Sequence, residues 1–200
     1  IMRSFQRFFN RANVKMIYSE GFSPHQKMHF ALPLGLGIVS KGEYLDAEIS
    51  DGQDLEKIKE DLNRVSGDGF DITDIRALAD NADKAMASVR YASFDIRLNS
   101  SRDLKIEDYL SGGSVIIRKK TKTGFHDVDI KHLIVNISQD NDIISILMKC
   151  GSESNIKPEL IIEDLFKYNG LEYSRDMVHI TRNELYGPGI TSLIDYQTVR

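Results

Sequence analysis

Apolar residues Phe5, Phe8, Phe9 and Ala12 recur at helical spacing, with Arg3, Arg7 and Arg11 four apart on another face. The pattern predicts an amphipathic helix. A short β-like run follows over 14–18, and Gly21 and Pro24 then break regular structure. Segments 28–34 and 43–49 predict two strands joined through the glycine-containing connection 35–42, a hairpin with a long turn. Leu55, Ile58, Leu62 and Val65 predict a helix with Asp54 or Asp51 at its start and Gly67 past its end, and 70–78 predicts another strand. Helix, strand, strand, helix, strand is a ferredoxin-like order lacking only its first strand, which is expected upstream of Ile1.

Residues 79–88 are small and polar and predict a link. Beyond it, 91–98 alternates like a strand, 106–110 suits a short helix closed by Gly112 and Gly113, and 115–117 is β-branched. Strands are expected over 125–137 and 143–150, separated by a polar turn at 139–142. Pro158 at N1, Leu160, Ile161, Leu165, Phe166 and Gly170 define a helix, and 177–182 closes the half as a strand. The expectation is an α+β chain of two ferredoxin-like units, 1–79 and 80–200, able to pack as one domain.

Composition narrows the functional classes. The 200 residues are 41% hydrophobic and 28% charged, an ordinary globular balance, and the formal charge of −4 argues against coating a polyanion by bulk attraction. Any polyanion site has to be local. Cys150 is the single cysteine, which excludes an intrachain disulfide, a thiolate-held iron–sulfur cluster and a multi-cysteine zinc site within these residues. A reducing, cytoplasmic location is expected, since no apolar run approaches the roughly 20 residues that span a bilayer. The helical pattern opens at Ile1 with no capping residue before it, so a preceding segment is expected as well.

Three clusters are candidates for chemistry. In Gly21-Phe22-Ser23-Pro24-His25-Gln26-Lys27-Met28-His29, a strand starting at Lys27 would put His25, Lys27 and His29 on one face, suited to a phosphate or to His25 as acid or base. The plainer reading is a turn shaped by Gly21 and Pro24 with solvated histidines. A metal is not assigned, because His25 and His29 lack a nearby third ligand. In Glu43-Tyr44-Leu45-Asp46-Ala47-Glu48, alternation places Tyr44, Asp46 and Glu48 on one face and Glu43, Leu45 and Ala47 on the other. The carboxylates can serve as a catalytic pair or as a solvated sheet face. Arg118-Lys119-Lys120-Thr121-Lys122 packs four cations into five positions before Asp127 and Asp129, which suits either a polyanion site or a charged hairpin tip that protects a strand edge. Gly35-Leu36-Gly37 lacks the third glycine and the following helix of a dinucleotide loop, and Ser23 with His25 lacks the context of a hydrolase nucleophile.

The phrase 18–27, Tyr-Ser-Glu-Gly-Phe-Ser-Pro-His-Gln-Lys, running into Phe30-Ala31-Leu32-Pro33-Leu34-Gly35 and Glu43-Tyr44-Leu45-Asp46, closely resembles the radical SAM-linked protein family. The run from Arg118 to Gly124, then Val128-Asp129-Ile130-Lys131, and the closing Ile180-Thr181-Arg182 resemble its later motifs. Gln26, Met28 and Lys131 depart from the proline, aliphatic residue and arginine that the pattern suggests. The resemblance implies a companion to a radical SAM protein or domain, with S-adenosylmethionine and the iron–sulfur cluster held by that partner and no cofactor in this chain.

The expected role is therefore a non-catalytic substrate-recognition or docking module, with structured RNA as a candidate substrate and no membrane partner. Its expected contact residues are Gly21, Phe22, Pro24, His25, Lys27, Glu43, Asp46, Arg118, Lys119, Lys120, Lys122, Asp129 and Arg182. Two alternatives stand beside it: an RNA-modifying enzyme in its own right using Asp46 or His25, and a purely structural domain.

Overall fold

The computed structural model describes residues 1–121, 124–151, 156–196 and 198, with Lys120 and Thr121 described by their backbone alone. The chain is α+β. Helix α1 (Met2–Arg11) buries Phe8 and Phe9, and α2 (Leu55–Val65) buries Ile58 and Leu62. Asp54 caps α2 by accepting the N–H groups of Glu56 and Lys57 at 3.0 and 3.2 Å. Both helices share a small core with Ala12, Val14, Met16 and Met28. Its β layer is the antiparallel pair β1 (Met28–Phe30) and β3 (Leu45–Ala47), extended by single bridges from Met16 to Ile49 and from Tyr18 to Gln26.

The strand expected over 70–78 does not form. Its backbone is held by a side chain instead: the Asn63 amide donates to the Ile72 carbonyl at 2.9 Å, and the Ile72 N–H donates to Asn63 Oδ1 at 2.7 Å. Ile72 and Ile75 still pack on the small core, so the apolar pattern reports burial without pairing.

A larger core lies under a five-stranded sheet. Its strands are β2 (Val39–Ser40), β4 (Tyr91–Leu98), β7 (Ile134–Asp140), β8 (Ile143–Lys149) and β9 (Val178–Tyr186), in the order β2-β9-β4-β8-β7. Burial alternates along β4, where Ala92, Phe94, Ile96 and Leu98 face inward and Tyr91, Ser93, Asp95 and Arg97 face the other way. Helix α5 (Pro158–Tyr168) contributes Ile161, Ile162, Leu165 and Phe166 to this core, joined by Ile106 and Tyr109 of α4 (Ile106–Ser111). A short helix α3 (Ala85–Ser88) precedes β4.

The run 125–137 is two elements rather than one strand. β6 (Gly124–Asp129) pairs with β5 (Ile116–Thr121) in a separate ribbon, a 3₁₀ turn occupies Lys131–Leu133, and β7 then joins β8. The largest departure is β2. It arises inside the turn expected between β1 and β3, and pairs parallel with β9 at Val39↔Thr181 and Ser40↔Arg182. The connection from β1 to β3 thus leaves the small core, joins the large sheet and returns. No helix among the described residues is long and apolar enough to cross a membrane.

Candidate functional site

The loop before β1 is an exposed turn with a hydrogen-bonded base. Ser19 Oγ lies 2.8 Å from His25 Nδ1, and the His25 N–H donates to the same oxygen at 3.1 Å. The Ser19 N–H donates to the His25 carbonyl at 2.8 Å. Gly21 turns the chain at φ +111°, and the Phe22 ring is fully exposed. Lys27 pairs with Glu48 at 3.0 Å, while Gln26 is buried and donates to Asn10 Oδ1 at 2.7 Å. β1 itself spans Met28–Phe30, but Gln26 and Met28 are buried while His25, Lys27 and His29 are not, in keeping with the alternation expected of the three. The serine opposite His25 was not anticipated, because only the folded turn brings 19 and 25 together.

Glu43 and Arg182 meet across the two cores. The Arg182 side chain is buried and donates from Nε to Glu43 Oε1 at 2.7 Å and from Nη2 to Oε2 at 2.5 Å, a bidentate pair. The same guanidinium reaches the carbonyls of Leu32 and Pro33 at 3.1 and 3.3 Å, and Ser40 Oγ donates to Glu43 Oε1 at 2.5 Å. Glu43 lies two residues before β3, outside the strand whose alternation assigned it a face. Arg175 adds a second tie, donating to the Gly37 carbonyl at 2.6 Å. Beside the clamp, the Tyr44 hydroxyl donates to Glu184 Oε1 at 2.7 Å, and burial raises its pKa.

Asp46 does structural work too. Its Oδ2 accepts the N–H of Ala85, the first residue of α3, at 2.7 Å, tying the link to β3. Asp129 Oδ1 accepts the N–H groups of Lys131 and Val115, each at 3.0 Å, and these bonds hold its carboxyl below the usual carboxylate range. They also fix the corner between β6 and β7. Burial pushes the Cys150 thiol up to about 12, so it is a poor nucleophile near neutrality.

In the ribbon, Arg118 stands opposite Asp127 and lies over the Phe125 ring, 5.4 Å from its centre, and Lys119 stands opposite His126. Lys120 pairs with Phe125 through its backbone, and Lys122 lies outside the described residues. The ribbon belongs with the large core, through Val115, Ile117 and Ile130, whereas the 19–27 turn belongs with the small one.

One further place escaped the sequence reading. Lys41, Asp95, Arg97 and His179 line a groove of about 250 Å³ with Ile143, Thr181 and Asn183, on the sheet face opposite the large core. Among the described residues, no ion pair or side-chain hydrogen bond engages Lys41, Arg97 or His179. Asp95 is held by Ser145 Oγ, which donates to it at 2.8 Å. The alternation of β4 and β9 was the available signal, but Lys41, Arg97 and His179, so far apart along the chain, form no motif. Among the described residues, no three His, Cys, Asp or Glu side chains converge as metal ligands.

No curated protein and no solved structure matches the chain. A family model does, covering residues 1–158, from α1 to the start of α5 and thus the small core, part of the large one, the clamp residue Glu43 and the ribbon. That match spans well over half of the chain, and the protein belongs to the family of uncharacterized proteins conserved in bacteria, DUF2344.

Proposed function

We propose that this chain is a recognition and docking module without chemistry of its own, working beside a radical SAM protein or domain that holds the cluster and S-adenosylmethionine. One observation carries the non-catalytic part: Asp46, the acid suggested for catalysis, is committed to the fold, as are Glu43 and Asp129 of the expected contact set. Glu43 is clamped by Arg182, Asp46 is bonded to the N–H of Ala85, and Asp129 holds two backbone N–H groups. A carboxylate so engaged loses lone pairs and freedom that proton transfer to a substrate needs. The partner's identity is supported by the sequence motifs around Gly21-Phe22-Ser23-Pro24-His25 and Arg118-Lys119-Lys120. The exposed ring of Phe22 supplies an aromatic anchor of the kind that carries docking energy.

The test is direct. The radical SAM protein encoded beside this chain, or fused to it, should co-elute with it on size exclusion, and Phe22→Ser should weaken the complex at least about tenfold. Failure of every such protein to bind removes the companion role. A second reading, an RNA-modifying enzyme, keeps one favourable contact: the Ser19 hydroxyl against His25 Nδ1, a nucleophile–base spacing. Turnover of RNA by the isolated chain, lost in both Ser19→Ala and His25→Ala, would decide for it.

A further inference from the structure

The open face of the five-stranded sheet carries three basic groups that the fold does not use. Lys41 comes from the end of β2, Arg97 from β4 and His179 from β9, and Arg97 and His179 are direct neighbours across the β4–β9 ladder. Placing Lys41 and Arg97 together with neither in an ion pair costs repulsion. Lys27, Lys57, Arg64, Arg76 and Arg182, by contrast, are paired with carboxylates. The one acid in the groove, Asp95, faces Thr181 and Ser145 in the ladder and is bonded to Ser145.

The rest of the face defines the ligand. Alternation puts Tyr91, Ser93, Asp95 and Arg97 on it from β4, with Tyr186 opposite Tyr91 and Lys149 on the other side of Tyr91. Six residues separate Tyr91 from Arg97, about 20 Å along the strand at roughly 3.3 Å per residue. The face thus runs from the basic groove past two carboxylates, Asp95 bonded to Ser145 and Glu184 bonded to Tyr44 and Ser192, to an aromatic pair. A small anion would use only the groove. At about 250 Å³ it is also below the roughly 300–1,000 Å³ of sites that engulf a small molecule. An extended chain with regular negative charge and planar bases uses the whole face, because phosphates take the cations and bases stack on tyrosine.

We propose that this face binds single-stranded RNA, with a phosphate in the groove of Lys41, Arg97 and His179 and bases over Tyr91 and Tyr186. The proposal rests on reading the chain as a recognition module, and it places the nucleic-acid site on the sheet rather than on the ribbon of Arg118 and Lys119.

The experiment measures binding of a labelled single-stranded RNA of about 12 nucleotides, within the usual reach of such surfaces, over a salt series. Lys41→Gln with Arg97→Gln should weaken binding at least about tenfold and lower the slope of log affinity against log salt by about 0.7, the loss of one neutralised phosphate. Tyr91→Ala should weaken binding about tenfold with the salt slope unchanged, since stacking releases no counterion. Lys41→Glu alone, at an exposed position beyond β2, keeps the test if the Arg97 variant unfolds. Wild-type affinity in the sheet variants, with binding lost in Arg118→Gln with Lys119→Gln, overturns this site and leaves the recognition role standing. Equal competition by polyglutamate overturns RNA in favour of an acidic protein segment. If wild type binds the radical SAM partner but no RNA at low salt, the proposal fails and docking survives; if it binds neither, both fail.

Discussion

Two loops that lie within one continuous motif of the sequence have opposite physical characters. The turn 19–27 stands on the small core, closes on itself through Ser19 and His25, and exposes Phe22 completely. The connection 32–43 leaves that core, adds β2 to the large sheet and is gripped by Arg175 and Arg182 from the far end of the chain. The first is mostly polar and the second mostly apolar, and each carries a proline and at least one glycine. The difference teaches that motif similarity does not separate a loop that joins cores from one that presents side chains outward. Only the partner residues do so.

Breaking the clamp gives the largest expected effect. Glu43→Ala leaves a buried guanidinium without its counter-ion and should cost about 3 kcal/mol by urea unfolding, the low end for a broken buried pair because Glu43 keeps 32% of its side-chain surface exposed. Arg182→Met should cost less, because the carboxylate left behind can reach water. Equal losses would contradict the asymmetry.

The two glycines sharpen the contrast next. A Cβ at Gly42 would sit 2.6 Å from the Asn183 carbonyl oxygen and 2.7 Å from Glu184 Cα, both backbone atoms, so Gly42→Ala should cost about 1–3 kcal/mol through overpacking. At Gly21 nothing lies within 4 Å, and only the positive φ is strained, so Gly21→Ala should cost about 1 kcal/mol. A reversed ranking in thermal melts would show that the connection yields and the turn does not.

Asp46→Ala should cost about 1 kcal/mol by removing the acceptor for the Ala85 N–H, and should raise hydrogen exchange at Ala85 before the rest of the chain. Smallest of all, Phe22→Ser should leave stability within about 0.5 kcal/mol of wild type. A larger loss would mean that the ring has a folding role and would weaken its use as a docking anchor.

Much of the local fold is legible in the residues. The caps and apolar spacing of α2 and α5, the alternation of β4 and β8, and the turn before β8 follow from side-chain periods of 3.6 and 2. The misses share a cause. The 70–78 segment has a strand's composition, but Asn63 satisfies its backbone at Ile72, and β6 and β7 read as one run because the 3₁₀ turn between them contains no glycine or proline. At the candidate sites, the sequence located the 19–27 turn and the cations of β5. It could not show that Glu43 and Arg182 pair, nor that Lys41, Arg97 and His179 converge.

The sequence by itself determined what depends on near neighbours: helix ends, strand faces, the single cysteine that cannot hold a cluster, and membership of a bacterial family through residues 1–158. The tertiary structure alone decided which polar groups are spent and which are left over. That outcome depends on contacts such as Glu43 with Arg182, 139 residues apart, where a charge is satisfied or stranded by packing that no local pattern encodes.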